Sequence, residues 1–144
     1  MDKILEPFIR EPEREFHIRE LARINKKSPT TISKYLSKYA KRSVLTVKKR
    51  LNHSLYKANL ENPIFKQIKL FHNLRKLRES GLINYLVEEF NNPKAIILFG
   101  SFRKAEDIPK SDIDLLIITP SKKEVNLVKY EKFLNHKIQL FLYS

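Results

Sequence analysis

Two short clusters in the C-terminal half carry residue types suited to phosphate and metal chemistry: Gly100-Ser101 and, after ten intervening residues, Asp112-Ile113-Asp114. Residues two apart on a β-strand project from the same face, so Asp112 and Asp114 would present paired carboxylates while Ile113 points into a core. Two like charges that close repel unless a cation bridges them, which predicts Mg²⁺ or Mn²⁺ held through oxygen ligands. Such a metal aligns and neutralises a nucleoside triphosphate during phosphoryl transfer. Gly100 has no side chain to keep a phosphate away from the backbone. Ser101 adds a hydroxyl and an N–H beside a helix start, where anions are favoured.

These clusters need elements to hold them. Ala95–Phe99 is a continuous apolar run of the kind expected for a buried strand, and it stops at Gly100. A polar stretch with a short helix follows over residues 102–110, and residues 113–119 form a second apolar strand. A helix over residues 122–134 and a third strand over residues 137–143 complete a small mixed sheet. Either cluster alone says little; an apolar strand ending in each makes the combination specific.

Strand, Gly-Ser, about ten residues and Asp-hydrophobic-Asp resemble the polymerase-beta-like nucleotidyltransferase superfamily, particularly its minimal members. The resemblance covers roughly residues 84–144. It implies transfer of a nucleoside monophosphate from a triphosphate to a hydroxyl or similar acceptor. Asp112 and Asp114 would be the catalytic, metal-bound carboxylates, with Gly100, Ser101, Lys104 and Ser111 at the phosphates. It also implies small helical partner proteins, since such minimal members often belong to toxin–antitoxin modules. The chain departs from the pattern twice. Lys104-Ala105 stands where many members have Arg-Gly, and Gln139 occupies the expected place of a third carboxylate. An amide is no general base near neutral pH, so a regulator that binds nucleotide or a partner without chemistry is the competing expectation.

Charge separates the two halves. The 144 residues carry a formal +13, and residues 21–60 hold eleven Lys or Arg and no acid. Such an excess calls for a polyanion, nucleic acid or an anionic surface, although a lysine-rich solvated face is the plain alternative. Apolar residues recur at helical spacing through Ile4, Leu5, Phe8 and Ile9, and again through Ile18, Leu21, Ala22 and Ile24. Ser28-Pro29 then gives an N-cap with Pro at the first helical position, predicting a third helix over residues 28–40. Ile32, Tyr35, Leu36 and Tyr39 form its apolar stripe, and Thr30, Thr31, Ser33, Lys34 and Lys38 lie largely opposite. Residues 44–57 read as a β-hairpin turning at Asn52-His53.

Three helices and a hairpin resemble the winged helix-turn-helix family. Under that resemblance residues 28–40 would enter the major groove of double-stranded DNA, and Lys48, Lys49 and Arg50 near the wing tip would meet phosphates. A protein–protein module is the alternative, and RNA stays open. Asn62-Pro63 starts a helical connector whose stripe is Ile64, Phe65, Ile68, Phe71, Leu74 and Leu77, ended by Gly81. It would bridge two domains or pair two copies as a homodimer.

The expected architecture is therefore α+β: a winged helix-turn-helix domain at 1–60, a connector at 61–91 and a nucleotidyltransferase-type domain at 92–144. No cysteine is present, which removes disulfides and thiolate metal sites. No apolar run suits a bilayer and the charged N-terminus lacks a signal-peptide core, so the expected place is the cytoplasm, away from membrane.

Overall fold

The computed structural model describes residues 3–144, which divide into a unit ending at Lys66 and a unit from Gln67 to Ser144. In the first, a 3-10 turn (Lys3–Leu5) leads into α1 (Glu6–Arg10), β1 (Phe16–His17), α2 (Ile18–Asn25), α3 (Pro29–Lys41), β2 (Leu45–Arg50) and β3 (His53–Ala58). The strands form an antiparallel sheet in the order β1-β3-β2. Ile4, Leu5, Phe8, Phe16, Leu21, Ile32 and Leu36 are buried. Ser28 caps α3 as its sequence predicts: the side-chain oxygen accepts from Thr31 N at 3.2 Å, and Pro29 fills the first position.

Three details differ from expectation. β1 pairs with β3 through Phe16 and His17, two residues too few to show alternation in the sequence. The hairpin turns at Leu51-Asn52, both with positive φ (49° and 66°), one residue earlier than predicted. Tyr35 leaves the apolar stripe and is exposed, because packing takes only the Ile32–Leu36 line of α3.

In the second unit, α4 (Pro63–Ser80), which begins before the division, is followed by α5 (Leu82–Glu89), β4 (Ala95–Phe99), α6 (Ser101–Lys104), β5 (Ile113–Ile118), α7 (Val128–Leu134) and β6 (Ile138–Tyr143). Asn62 Oδ1 accepts from Ile64 N at 2.8 Å, starting α4 beside Pro63, and Gly81 ends it at φ 79°. β5 is central, antiparallel to β4 and parallel to β6, which makes the sheet mixed. One core joins Leu77, Leu82, Leu86 and Phe90 from the helices read as a connector to Phe102, Ile113, Leu115, Ile117, Tyr130, Leu134 and Ile138.

The structure corrects four sequence expectations here. β4 is an edge strand with Ile97 and Phe99 exposed, since a partner lies on one side only. The helix expected over residues 122–134 is restricted to Val128–Leu134; Asn126 Oδ1 accepts from Val128 N at 3.1 Å and starts it late. The strand expected over residues 113–119 runs Ile113–Ile118. The apolar stripe of α4 turns inward only in part: Phe65 and Leu77 are buried on one line with Lys69 and Asn73, while Ile64, Phe71 (64% exposed) and Leu74 are outside. The cause is a polar network described below.

Ser28→Ala removes the α3 cap and is expected to cost about 1 kcal/mol in stability of the N-terminal unit, read by chemical denaturation.

Candidate functional site

Gly100 sits at φ 80°, ψ −162°, a conformation closed to side-chain-bearing residues, and turns the chain from β4 into α6. A Cβ there would overlap the Asp114 carboxylate and stand 3.2 Å from its Cγ. The two halves of the sequence motif therefore meet: the bare Gly100 backbone lies against the Asp114 side chain. Asp114 is half-buried on β5, paired with Phe99 on one side and Gln139 on the other. Gln139 thus stands at the neighbouring position where the third carboxylate was expected.

Asp112 comes one residue before the strand; Ile113 N donates to Lys137 O at 2.8 Å, and the β5–β6 pairing begins there. Asp112 is exposed, while Ile113 is buried. It borders an open hollow of about 670 Å³ with Ser111, His136, Lys110, Lys132 and Lys137, so cationic side chains lie close by. Lys104 ends α6 and is exposed, and Ser101 begins that helix half-buried. Ala105 follows at φ 59°, a left-handed position that glycine fills without strain, which gives a backbone reason for the Arg-Gly pattern from which this chain departs.

Residues 105–111 carry the chain from α6 to Asp112, and a buried network anchors them. Lys69 Nζ donates to the Asp107 carbonyl and lies 3.4 Å from its carboxylate. Asn73 Nδ2 donates to the same carboxylate at 2.8 Å and to Phe102 O at 3.0 Å. His136 Nε2 is 3.6 Å from Asp107 Oδ2, and its Nδ1 lies 2.7 Å from Ser111 O, where only a protonated Nδ1 can donate. Burial pushes the Lys69 ammonium below the ordinary lysine pKa, with the Asp107 charge and hydrogen bond opposing. Ser111 Oγ accepts from Ile108 N at 2.9 Å, so this hydroxyl braces the turn and keeps its hydrogen for a further acceptor. Sequence reasoning missed Lys69, Asn73, Asp107 and His136; the one available signal was two polar residues on the i, i+4 line joining Phe65 to Leu77.

The donor set suits a hard cation. Mg²⁺ commonly takes one or two carboxylates and fills its remaining positions with water and phosphate oxygens, which Asp112 and Asp114 could provide for. Among the described residues no group of three or more His, Asp or Glu is arranged to hold a metal ion.

In the N-terminal unit Thr30, Lys34 and Lys38 are exposed along α3, whereas Ser33 is half-buried and Thr31 Oγ1 accepts from Ser28 Oγ at 2.9 Å. Lys48, Lys49 and Arg50 are exposed at the end of β2, next to the turn. Tyr35 on α3 and Leu51 at the turn join that surface, and neither was foreseen.

A Gly-only turn thus lies against a strand carboxylate, with a second carboxylate two residues earlier in the chain. Residues 79–141 match the family model described as nucleotidyltransferase domain, which is what this segment is similar to. No curated protein and no solved structure matches the chain. Among the described residues no helix is long and apolar enough to cross a membrane.

Gly100→Ala forces a side chain against Asp114 in a strained backbone. The expected loss is about 1–3 kcal/mol of stability in the C-terminal unit, measured by denaturant unfolding.

Proposed function

We propose that the chain couples a winged helix-turn-helix unit for double-stranded DNA to a nucleotidyltransferase domain. The latter takes a nucleoside triphosphate with Mg²⁺ or Mn²⁺ and passes the nucleoside monophosphate to a hydroxyl or similar acceptor. The observation that carries the transferase reading is the Asp114 carboxylate lying against the bare Gly100 backbone, with Asp112 two residues before it in the chain. On this reading the Gly100 turn is the phosphate cradle and the Asp114 carboxylate the start of the cation site.

In the transfer, an acceptor oxygen forms a bond to the α-phosphorus while the bond to the bridging oxygen breaks, and pyrophosphate leaves with that electron pair. Asp112 and Asp114 would hold the cation, which would supply neutralisation of the phosphate charge. Gly100 and Ser101 admit the phosphates with backbone N–H and hydroxyl groups. The acceptor's proton needs a base, and Gln139 is none. Its pairing with Asp114 favours a second reading, a regulator that binds nucleotide without turnover.

The DNA-binding reading is supported by the order helix, strand, helix, helix, hairpin and by exposed Thr30, Lys34 and Lys38 on α3 with Lys48, Lys49 and Arg50 at the hairpin. Exposed Phe71 and Leu74 on α4 offer an apolar surface to a second copy or a small helical partner.

With α-labelled triphosphates, Mg²⁺ and cell extract, label transfer is expected from the wild type and lost in Asp112→Asn/Asp114→Asn; transfer absent from both supports the regulator reading instead. For DNA, log affinity should fall linearly with log salt. Replacing Lys48, Lys49 and Arg50 by Ala should reduce that slope by about 3, at roughly 0.9 per phosphate contact. An unchanged slope would remove the hairpin from the interface.

A further inference from the structure

The C-terminal sheet has helices against one face only. Ile113, Leu115 and Ile117 point into the core with Ile96, Leu98 and Leu140 packed around them. The register gives the opposite face as three cross-strand rows: Phe99, Asp114 and Gln139; then Ile97, Leu116 and Phe141; then Ala95, Ile118 and Tyr143. Apart from the carboxylate and amide of the first row this face is apolar, yet Ile97, Phe99, Phe141 and Tyr143 remain exposed. The Phe99 and Phe141 rings reach across β5 to centroids 5.5 Å apart, inclined by 54°.

We propose that Phe99 and Phe141 form a shelf for the nucleobase of the nucleotide whose phosphates meet Gly100 and the carboxylates, an assignment that rests on the nucleotide reading above. The shelf begins in the row of Asp114 and extends one row along the strands, a step of roughly 6.7 Å. A ligand anchored by its phosphates at the edge of the sheet thus has an aromatic surface beside it. Inclined rings allow a flat heterocycle to stack on one and meet the edge of the other. Gln139, beside Asp114 and two residues before Phe141, offers an amide donor and acceptor to the ribose hydroxyls between base and phosphate.

The size of the face favours this occupant over a protein. Two strand gaps by two row steps enclose roughly 10 by 13 Å, far below the roughly 800 Å² per partner of a stable protein interface. A carboxylate at one end would also set a charge against a partner's apolar centre, whereas a nucleotide puts its phosphates and cation there.

Calorimetric titration of the whole chain with Mg²⁺ and either ATP or inorganic tripolyphosphate separates the shelf from the phosphate site. Base–aromatic stacking corresponds to roughly five- to 150-fold in affinity per base, so ATP should bind more tightly than tripolyphosphate by about fivefold or more. Phe141→Ala should remove most of that margin and leave tripolyphosphate affinity unchanged. Phe141→Leu, which keeps apolar bulk without a π face, should do the same with a wild-type melting temperature.

Equal affinity for ATP and tripolyphosphate, or a margin that survives both variants, would overturn the shelf and leave the phosphate site standing. No binding of either ligand to the wild type would overturn the nucleotide reading and the shelf together. Self-association in sedimentation that disappears in Phe141→Leu would assign the face to a second copy and overturn the shelf.

Discussion

Taking the Asp107 carboxylate out of water costs several kcal/mol unless charges and hydrogen bonds replace its hydration, and in the C-terminal unit the replacements come from distant parts of the chain. Lys69 and Asn73 reach it from α4, and His136 from the turn before β6. Residues 105–111 can bury this group only with those elements docked, so one electrostatic requirement sets which face of α4 turns inward. It also brings the α7–β6 turn against Ser111 and delivers Asp112 to the start of β5. An apolar substitute could fill the same space, but it would not tie the backbone oxygens of Phe102, Asp107 and Ser111 to named side chains.

With the loop held, the central strand divides the unit into two chemistries. One face of β5 gives Ile113, Leu115 and Ile117 to the core shared with the helices, where their burial stabilises the fold. The other face holds Asp114 where β4 turns at Gly100. Glycine is required for two separate reasons: the backbone angle and the space occupied by the Asp114 carboxylate. Stability and site thus share a strand, with alternating residues serving each.

The N-terminal unit works on a different principle. Its core is mostly aliphatic, with Phe8 and Phe16 packed edge to face at 4.9 Å within it. Nearly all its charge is directed outward, and the lack of acids between residues 21 and 60 leaves the positive surface uncompensated there. Self-repulsion on that scale opposes folding and favours polyanion binding, and it is met by local devices such as the Ser28 cap and the β1–β3 pairing.

Much of this was legible in the sequence, for local reasons. Caps, glycine turns and runs of Ile, Leu and Val act over a few residues, so α3, the hairpin, the three C-terminal strands and the placement of Gly100 and Asp114 at strand ends could be read directly, as could a strand carrying Gln139 beside that of Asp114. The short strand β1, the late start of α7 at Asn126 and the outward turn of Phe71 and Leu74 could not. Periodicity reports which faces of a helix are apolar. Whether such a face is buried depends on what the opposing surface must satisfy, and here Asp107, 38 residues from Lys69 along the chain, required Lys69 and Asn73 inside. The bare sheet face was likewise decided in three dimensions, because the side of a strand that receives the helices is set by where the connections cross, which alternation along one strand does not encode.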